Sequence, residues 1–398
     1  MQRNRIVPLV GEIDAWLALA FLALMCIGVI MVYSASIADS YRIYGSPYYI
    51  AEREGIWAVI GFAAMAVATR IHYSRWDRLA LPLLCVSGTL LALVLVPHLG
   101  TMSNGARRWF ELGSLSLQPS ELLKLSLVIY MAAWLRTKGE HVGDRETFIA
   151  FAVIVGLAFS LIFLEPDLGT ALVVALTMGA LYFVAGANLF YLLASGGGAM
   201  MIAWILIHHS RYESSRLLAF MNPWSDPTGV GYHTIQALLA LGSGGIFGRG
   251  LGNSAQKYLL PAPHTDSILA VIGEEWGILG SLVVLVLFVV IAYRGIKIAG
   301  SAPDTFSRLL AVGITSWITI QAFMNFAVIT SSVPFTGVPL PFVSYGGSSL
   351  IISMTAVGIL LSISRHAREG RARQNINHRR GDGRARLPRA VNHPVSAR

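Results

Sequence analysis

The chain is poor in cysteine: Cys26 and Cys85 are its only two, both inside apolar runs, and neither CxxC nor a Cys/His spacing of the zinc-holding kind occurs. That excludes a disulfide framework, an attached haem and a structural metal as organising principles. Charge is scarcer still, at 13% of 398 residues, where an ordinary soluble domain carries about 25%. With 55% hydrophobic residues, too little polar surface remains to wrap a water-soluble core. No repeat of solenoid length and no inverted half-to-half symmetry is visible. What charge there is leans basic, with 30 Lys and Arg against 21 Asp and Glu, a net +9. In a soluble protein that excess would suggest nucleic acid. In a membrane protein it belongs first to cytoplasmic loops and lipid headgroups.

A hydrocarbon layer about 30 Å thick asks for roughly 20 apolar residues per helix. Ten such stretches can be drawn, near 15–33, 56–69, 79–97, 121–135, 148–164, 169–185, 189–207, 268–293, 309–330 and 348–364. Pro166 and its flanking carboxylates argue for a break between the fifth and sixth. The first run is long for a signal-peptide core and reads as an uncleaved helix. With the N-terminus inside, inner segments collect 21 of the 30 basic residues and outer segments eight, leaving Lys124 within a span. The positive-inside rule then places both termini in the cytoplasm. The expected fold is all-α, a polytopic integral membrane protein of ten transmembrane helices with long outer loops. Its expected parts are a cytoplasmic N-terminus (1–14), a membrane domain (15–364) with a large outer loop near 208–267, and a basic, disordered cytoplasmic tail (365–398). Outer stretches at 98–120, 208–267 and 331–347 are long, whereas inner loops are short and basic, so chemistry is expected outside.

Ionisable groups at membrane depth cost about 2.5 to 3.5 kcal/mol on insertion scales, so each needs a reason to be there. Lys124 has Glu121 three residues earlier on the same helical face, which offers a self-neutralising pair. Near Arg107 and Arg108 the same lysine would suit a phosphate. Glu165 and Asp167 bracket Pro166, either as a carboxylate couple or as a cap for the helix starting at Leu168. The run Gly242 to Gly252 holds six glycines in eleven residues; it lacks GxxxxGK and a βαβ setting, and reads better as a tight re-entrant turn than as a phosphate loop. Lys257, His264 and Asp266 follow. Asp266 suits an N-cap, or a general base at the mouth of the membrane domain.

In order along the chain stand Asn104-Gly-Ala-Arg-Arg-Trp109, Gln118-Pro-Ser-Glu-Leu-Leu-Lys124, Glu165-Pro-Asp-Leu-Gly-Thr170, Asn222-Pro-Trp-Ser-Asp-Pro227, Gly242-Ser-Gly-Gly245, His264-Thr-Asp266, Gly273-Glu-Glu275 and Pro339-Leu-Pro-Phe-Val-Ser-Tyr-Gly-Gly-Ser-Ser349. This series resembles the SEDS proteins (shape, elongation, division and sporulation) over nearly the whole chain to about residue 364, and the division branch more than the elongation branch. The resemblance implies a peptidoglycan glycosyltransferase of the bacterial cytoplasmic membrane, multi-pass and placed at the division septum. It implies lipid II as substrate, a class B penicillin-binding protein transpeptidase and other division-complex membrane proteins as partners, membrane lipids as surroundings, and no nucleic acid. It puts the essential aspartate at Asp266 and cavity-lining positions at Arg108, Trp109, Glu121, Lys124, Glu165 and Lys257. Arg107, Asp167 and His264 join the expected substrate-binding set. No ligand cluster demands a metal, and assistance by a divalent cation stays open. The competing expectations are a lipid II flippase with a polar path along Lys124, Glu121 and Glu165, an elongation-type polymerase, and a scaffold that only recruits the transpeptidase.

Overall fold

The structure, a computed structural model, describes residues 13–103, 106–112, 115–198, 217 and 220–382. Helices dominate: α1 Ala15–Tyr44, α2 Tyr49–Arg70, α3 Ser74–Val94, α4 Pro119–Lys138, α5 Arg145–Phe163, α6 Leu168–Val184, α7 Leu189–Gly198, α8 Tyr232–Gly244, α9 Ile268–Gly300, α10 Thr305–Ile329 and α11 Gly347–Asp382. A helix stands at each of the ten expected spans, although the seventh is described only to Gly198 and the rest of that stretch lies outside the described residues. Six of them are long and apolar enough to cross a membrane: α1, α3, α5, α9, α10 and the Gly347–Ala367 part of α11. The others fall short for visible reasons. α2 opens with Glu52, Arg53 and Glu54, α4 carries Glu121, Lys124 and Arg136, and α6 and α7 are short.

The ends of the helices follow their sequence. Asp14 caps α1 by accepting from the Leu17 N–H, and Gly45 closes it in the left-handed region at φ 71°. Pro119 starts α4, where its missing N–H costs nothing. Asp304 and Ser307 form a reciprocal capping box on α10. In the centre lie α10 and α11, with 61% and 78% of their apolar windows buried inside the protein, against 22% for α3 and α5, whose remaining surface is left to lipid. Small residues allow close approach: a Cβ on Gly358 of α11 would stand 2.5 Å from the Met65 carbonyl oxygen of α2.

Four features differ from the sequence-based picture. A three-stranded antiparallel sheet, β1 Thr101–Ser103, β2 Ala106–Leu112 and β3 Leu115–Leu117, joins α3 to α4. Within the expected outer loop 208–267, whose first residues lie outside the description, α8 forms a thirteen-residue helix. α9 is broken at Gly277, which adopts φ 73°, ψ −168°. Helix α11 runs to Asp382, past residue 365 where an unfolded tail was expected. An existing helix needs no new nucleus, and the Arg, Ala and Gln of this stretch are good helix formers.

The glycine run is used at the α9 break. α8 ends at Gly244, packed so tightly on Gly273 that no Cβ fits. The turn after it accepts the hydrogen bonds freed by the kink: Ile278 N–H donates to Gly245 O (3.0 Å) and Leu279 N–H to Ile246 O (3.3 Å). Gly248 N–H returns to Gly244 O, Arg249 N–H goes to Glu274 O and Gly250 N–H to Glu275 O. These amides are committed within the fold, which supports the turn reading of this run over the phosphate-loop reading.

Candidate active site

Three connections meet on one face of α10. The first is the stretch before α9, 259–267; the second is the long α10 to α11 connection, 330–346; the third is the start of α4. Asn325 joins the first two, its Nδ2 donating to Asp266 O (2.9 Å) and Val338 O (2.8 Å). One turn earlier on the same face, Gln321 donates to Pro339 O (3.0 Å) and accepts from Lys124 Nζ (2.9 Å) and Trp317 Nε1 (2.9 Å). A turn of helix is about 5.4 Å. Residues 317, 321 and 325 thus form an i, i+4, i+8 polar stripe that sets the Asp266 segment one turn from Lys124.

Asp266 is half-buried. Thr265 Oγ1 donates to its Oδ1 (3.0 Å), while a Cβ on Gly337 would stand 3.5 Å from its Oδ2. Gly337 has φ 70°, so this close approach rests on a residue without a side chain. The N-cap of α9 is Ser267, one residue later than the capping role considered for Asp266. His264 lies beside it, its Nδ1 3.7 Å from Asp39 Oδ2 and its carbonyl accepting from Tyr345 N–H (2.8 Å). Burial pulls the His264 imidazole below its ordinary value, with Asp39 opposing.

Lys124 and Glu121 are paired at 2.8 Å, each side chain 3% exposed, with the Trp317 ring 5.2 Å from the ammonium. The self-neutralising reading is therefore the arrangement observed. Across the α5 to α6 turn, Asp167 caps α6, accepting from Thr170 N–H (3.0 Å) and Thr170 Oγ1 (2.9 Å). Glu165 is wholly buried and neither carboxylate oxygen has a hydrogen-bond partner among the described residues. Burial pushes it up to about 8, Asp167 adds to the rise and Arg108 opposes it. Glu165 is consequently a neutral acid at pH 7. Arg108, on β2, donates to Glu165 O (2.8 Å) and to Pro166 O, tying the sheet to this turn. Gly169, just inside α6, abuts Thr336 and Val338, which brings the turn to the same connection that flanks Asp266. Arg107 and Trp109 are half-buried sheet residues opposite Met102 and Thr101.

Lys257 belongs to a separate cluster. It is 3% exposed, donates to Gly252 O (2.7 Å) and lies 3.6 Å from Glu275 Oε1. Glu275 also accepts from Ser34 Oγ (2.6 Å). Its neighbour Glu274 is fully buried and accepts from Ser254 Oγ, Ala255 N–H (3.1 Å) and Gln256 N–H (3.1 Å). The two carboxylates organise residues 249–258, the segment that leads to Asp266. Residue-level reasoning passed over Gln321 and Asn325, although polar residues four apart inside an apolar helix are a readable signal, and it met Glu274 only within the Gly273-Glu-Glu275 motif. Among the described residues no group of three or more His, Cys, Asp or Glu is placed to hold a metal ion.

A family model described as cell cycle protein, covering FtsW, RodA and SpoVE, matches residues 15–369. The chain belongs to this family. Relatives of the FtsW/RodA/SpoVE family include a probable peptidoglycan glycosyltransferase FtsW of Geobacter sulfurreducens, 42% identical over 353 residues, 88% of this chain and 95% of the relative. Stage V sporulation protein E of Bacillus subtilis is 41% identical over 357 residues, 89% and 98% of the two chains. Among solved structures, a chain from a peptidoglycan synthase complex that coordinates polymerization and crosslinking superposes with a TM-score of 0.74 at 29% identity, covering 89% of this chain and 98% of that one. The rod shape determining protein RodA of Thermus thermophilus gives 0.67 at 29% identity, covering 89% and 97%. Like its relatives in the FtsW/RodA/SpoVE family, the protein is a multi-pass, predominantly helical membrane protein.

Proposed function

We propose that the chain is a peptidoglycan glycosyltransferase that polymerises lipid II at the outer face of the bacterial cytoplasmic membrane, at the division septum. The observation that carries this reading is the placement of Asp266: a half-buried carboxylate facing a glycine, with its backbone pinned by Asn325, in a chain whose relatives are named for that activity. Asp266 takes the proton of the acceptor sugar's 4-hydroxyl as that oxygen bonds to the donor's anomeric carbon. The bond from that carbon to the pyrophosphate oxygen breaks, its electron pair leaves with undecaprenyl pyrophosphate, and a β-1,4 link forms with inversion.

Lys124 and Arg108 are the cations assigned to the departing pyrophosphate, with Lys257 further off. Lys124 and Lys257 are buried in ion pairs and Arg108 is held by two carbonyls. Charge stabilisation by these groups therefore requires an exchange of partners when substrate enters. Trp109, Arg107 and His264 are proposed to border the sugar and pyrophosphate sites. A class B penicillin-binding protein is the proposed cross-linking partner, in keeping with the synthase complex among the similar structures.

A flippase would need a polar path along Lys124, Glu121 and Glu165. Two of these form a closed pair and the third is a neutral, wholly buried acid, which favours the enzymatic reading. The test uses purified chain, with its transpeptidase partner, in detergent, where there are no sides to cross. Glycan polymer formed from lipid II supports the glycosyltransferase. Unreacted lipid II, with the same preparation still moving lipid II across vesicles, supports the flippase.

A further inference from the structure

Two contacts let α1 serve as a ruler. At its inner end Asp14 Oδ1 accepts from Arg294 Nε (2.9 Å), and twenty residues on Ser34 donates to Glu275. Twenty helical residues rise about 30 Å, which is the thickness of a bilayer's hydrocarbon layer. The apolar run 15–33 fills that interval. Glu275 and the Gly277 break thus mark the outer boundary of the apolar layer. On the α9 side of that boundary, Ile278, Leu279, Leu282 and Val286 are each about half exposed, a row facing lipid. Bonded directly to the top of this row is the glycine turn, whose Gly245 and Ile246 carbonyls accept from Ile278 and Leu279. Its two apolar side chains are left bare: Ile246 is 60% exposed and Phe247 80%.

We propose that Ile246 and Phe247 are seated in the outer leaflet among phospholipid acyl chains, so that this turn anchors the segment leading to Asp266 at the membrane surface. The occupant follows from continuity with the lipid-facing row of α9 and from the level at which the turn is bonded to it. A bare phenyl ring at this depth gains by leaving water for acyl chains. The turn is in addition rigidly tied to the chemistry. Arg249 and Gly250 donate to Glu274 O and Glu275 O, and the Glu274 carboxylate holds residues 254–256. The proposal stands on the membrane placement alone and is independent of the enzymatic reading.

The test labels Phe247→Cys with an environment-sensitive nitrobenzoxadiazole dye, after replacement of Cys26 and Cys85 by Ser. The full chain is reconstituted in vesicles of phosphatidylethanolamine and phosphatidylglycerol. Ile246→Cys gives a second, separate reading, and Thr228→Cys, on an exposed part of the outer segment, reports water. Expected is several-fold stronger quenching by lipids spin-labelled near the headgroup at 246 and 247 than at 228, with several-fold weaker quenching by aqueous cobalt. Equal cobalt quenching at all three positions overturns the proposal. So does protection of 246 and 247 that arises only when a second protein is added.

Discussion

Glu165 is a wholly buried side chain whose protonation bears on the stability of the fold. Its value of about 8 lies above the unfolded carboxylate's 4.5, so between those limits the folded state holds more protons than the unfolded one. Stability must then fall as pH rises through that window, being fully present below about 4.5. Glu165→Gln, which fixes the neutral form, is expected to make that decline shallower in a thermal melt recorded from pH 5 to 9. A variant that declines as the parent does would contradict the assignment. For the Lys124 and Glu121 pair, losing one partner strands the other charge. Lys124→Met alone should cost about 3 kcal/mol, whereas Lys124→Met with Glu121→Leu should recover most of that stability. Polymerisation should fail in both, since the double variant restores packing without restoring the cation. Gly337→Ala combines φ 70° with a methyl 3.5 Å from Asp266 Oδ2. The strain amounts to about 1 to 2 kcal/mol, and the rate is expected to fall more than the melting temperature.

At the scale of elements, hydropathy located the membrane helices because burial in lipid demands long apolar runs, and that demand is written in composition. It could not see what composition does not encode. The break in α9 falls on Gly277, two residues past Glu275 inside what hydropathy draws as a single span, and a glycine there looks like any tolerated small residue. At thirteen residues α8 is too short to score as a span. β1 to β3 are short strands of mixed polarity, with too few alternations to declare themselves. The site was partly legible. Asp167 as a cap and Glu121 with Lys124 as a pair follow from spacing along one helix. The join from Asp266 to Asn325 spans 59 residues and depends on a fold that spacing does not contain. Glu274 illustrates the same limit. Its three acceptor contacts with 254–256 are local in space, and Glu274→Ala is expected to open that segment. Limited proteolysis should cut within 249–258 at least ten-fold faster, and glycan synthesis should drop with it. Unchanged cleavage would remove the carboxylate from its organising role.

For the whole molecule, a scarcity of charge is resolved by sorting it. Basic residues concentrate on the expected inner segments, while among the described residues Lys124, Lys257 and Arg249 each face a glutamate. With both termini inside, a fluorescent protein fused after Arg398 should be bright in cells and an alkaline phosphatase fused there inactive; the reverse pattern would invert the proposed topology. The central claim concerns Asp266. The most direct measurement is glycan polymerisation from purified lipid II by the Asp266→Asn variant with its transpeptidase partner, in detergent. The carboxamide keeps the shape and cannot take the proton, so the account predicts a loss of at least a hundred-fold with the melting temperature unchanged. Polymerisation at the parent rate by a folded Asp266→Asn protein would contradict it.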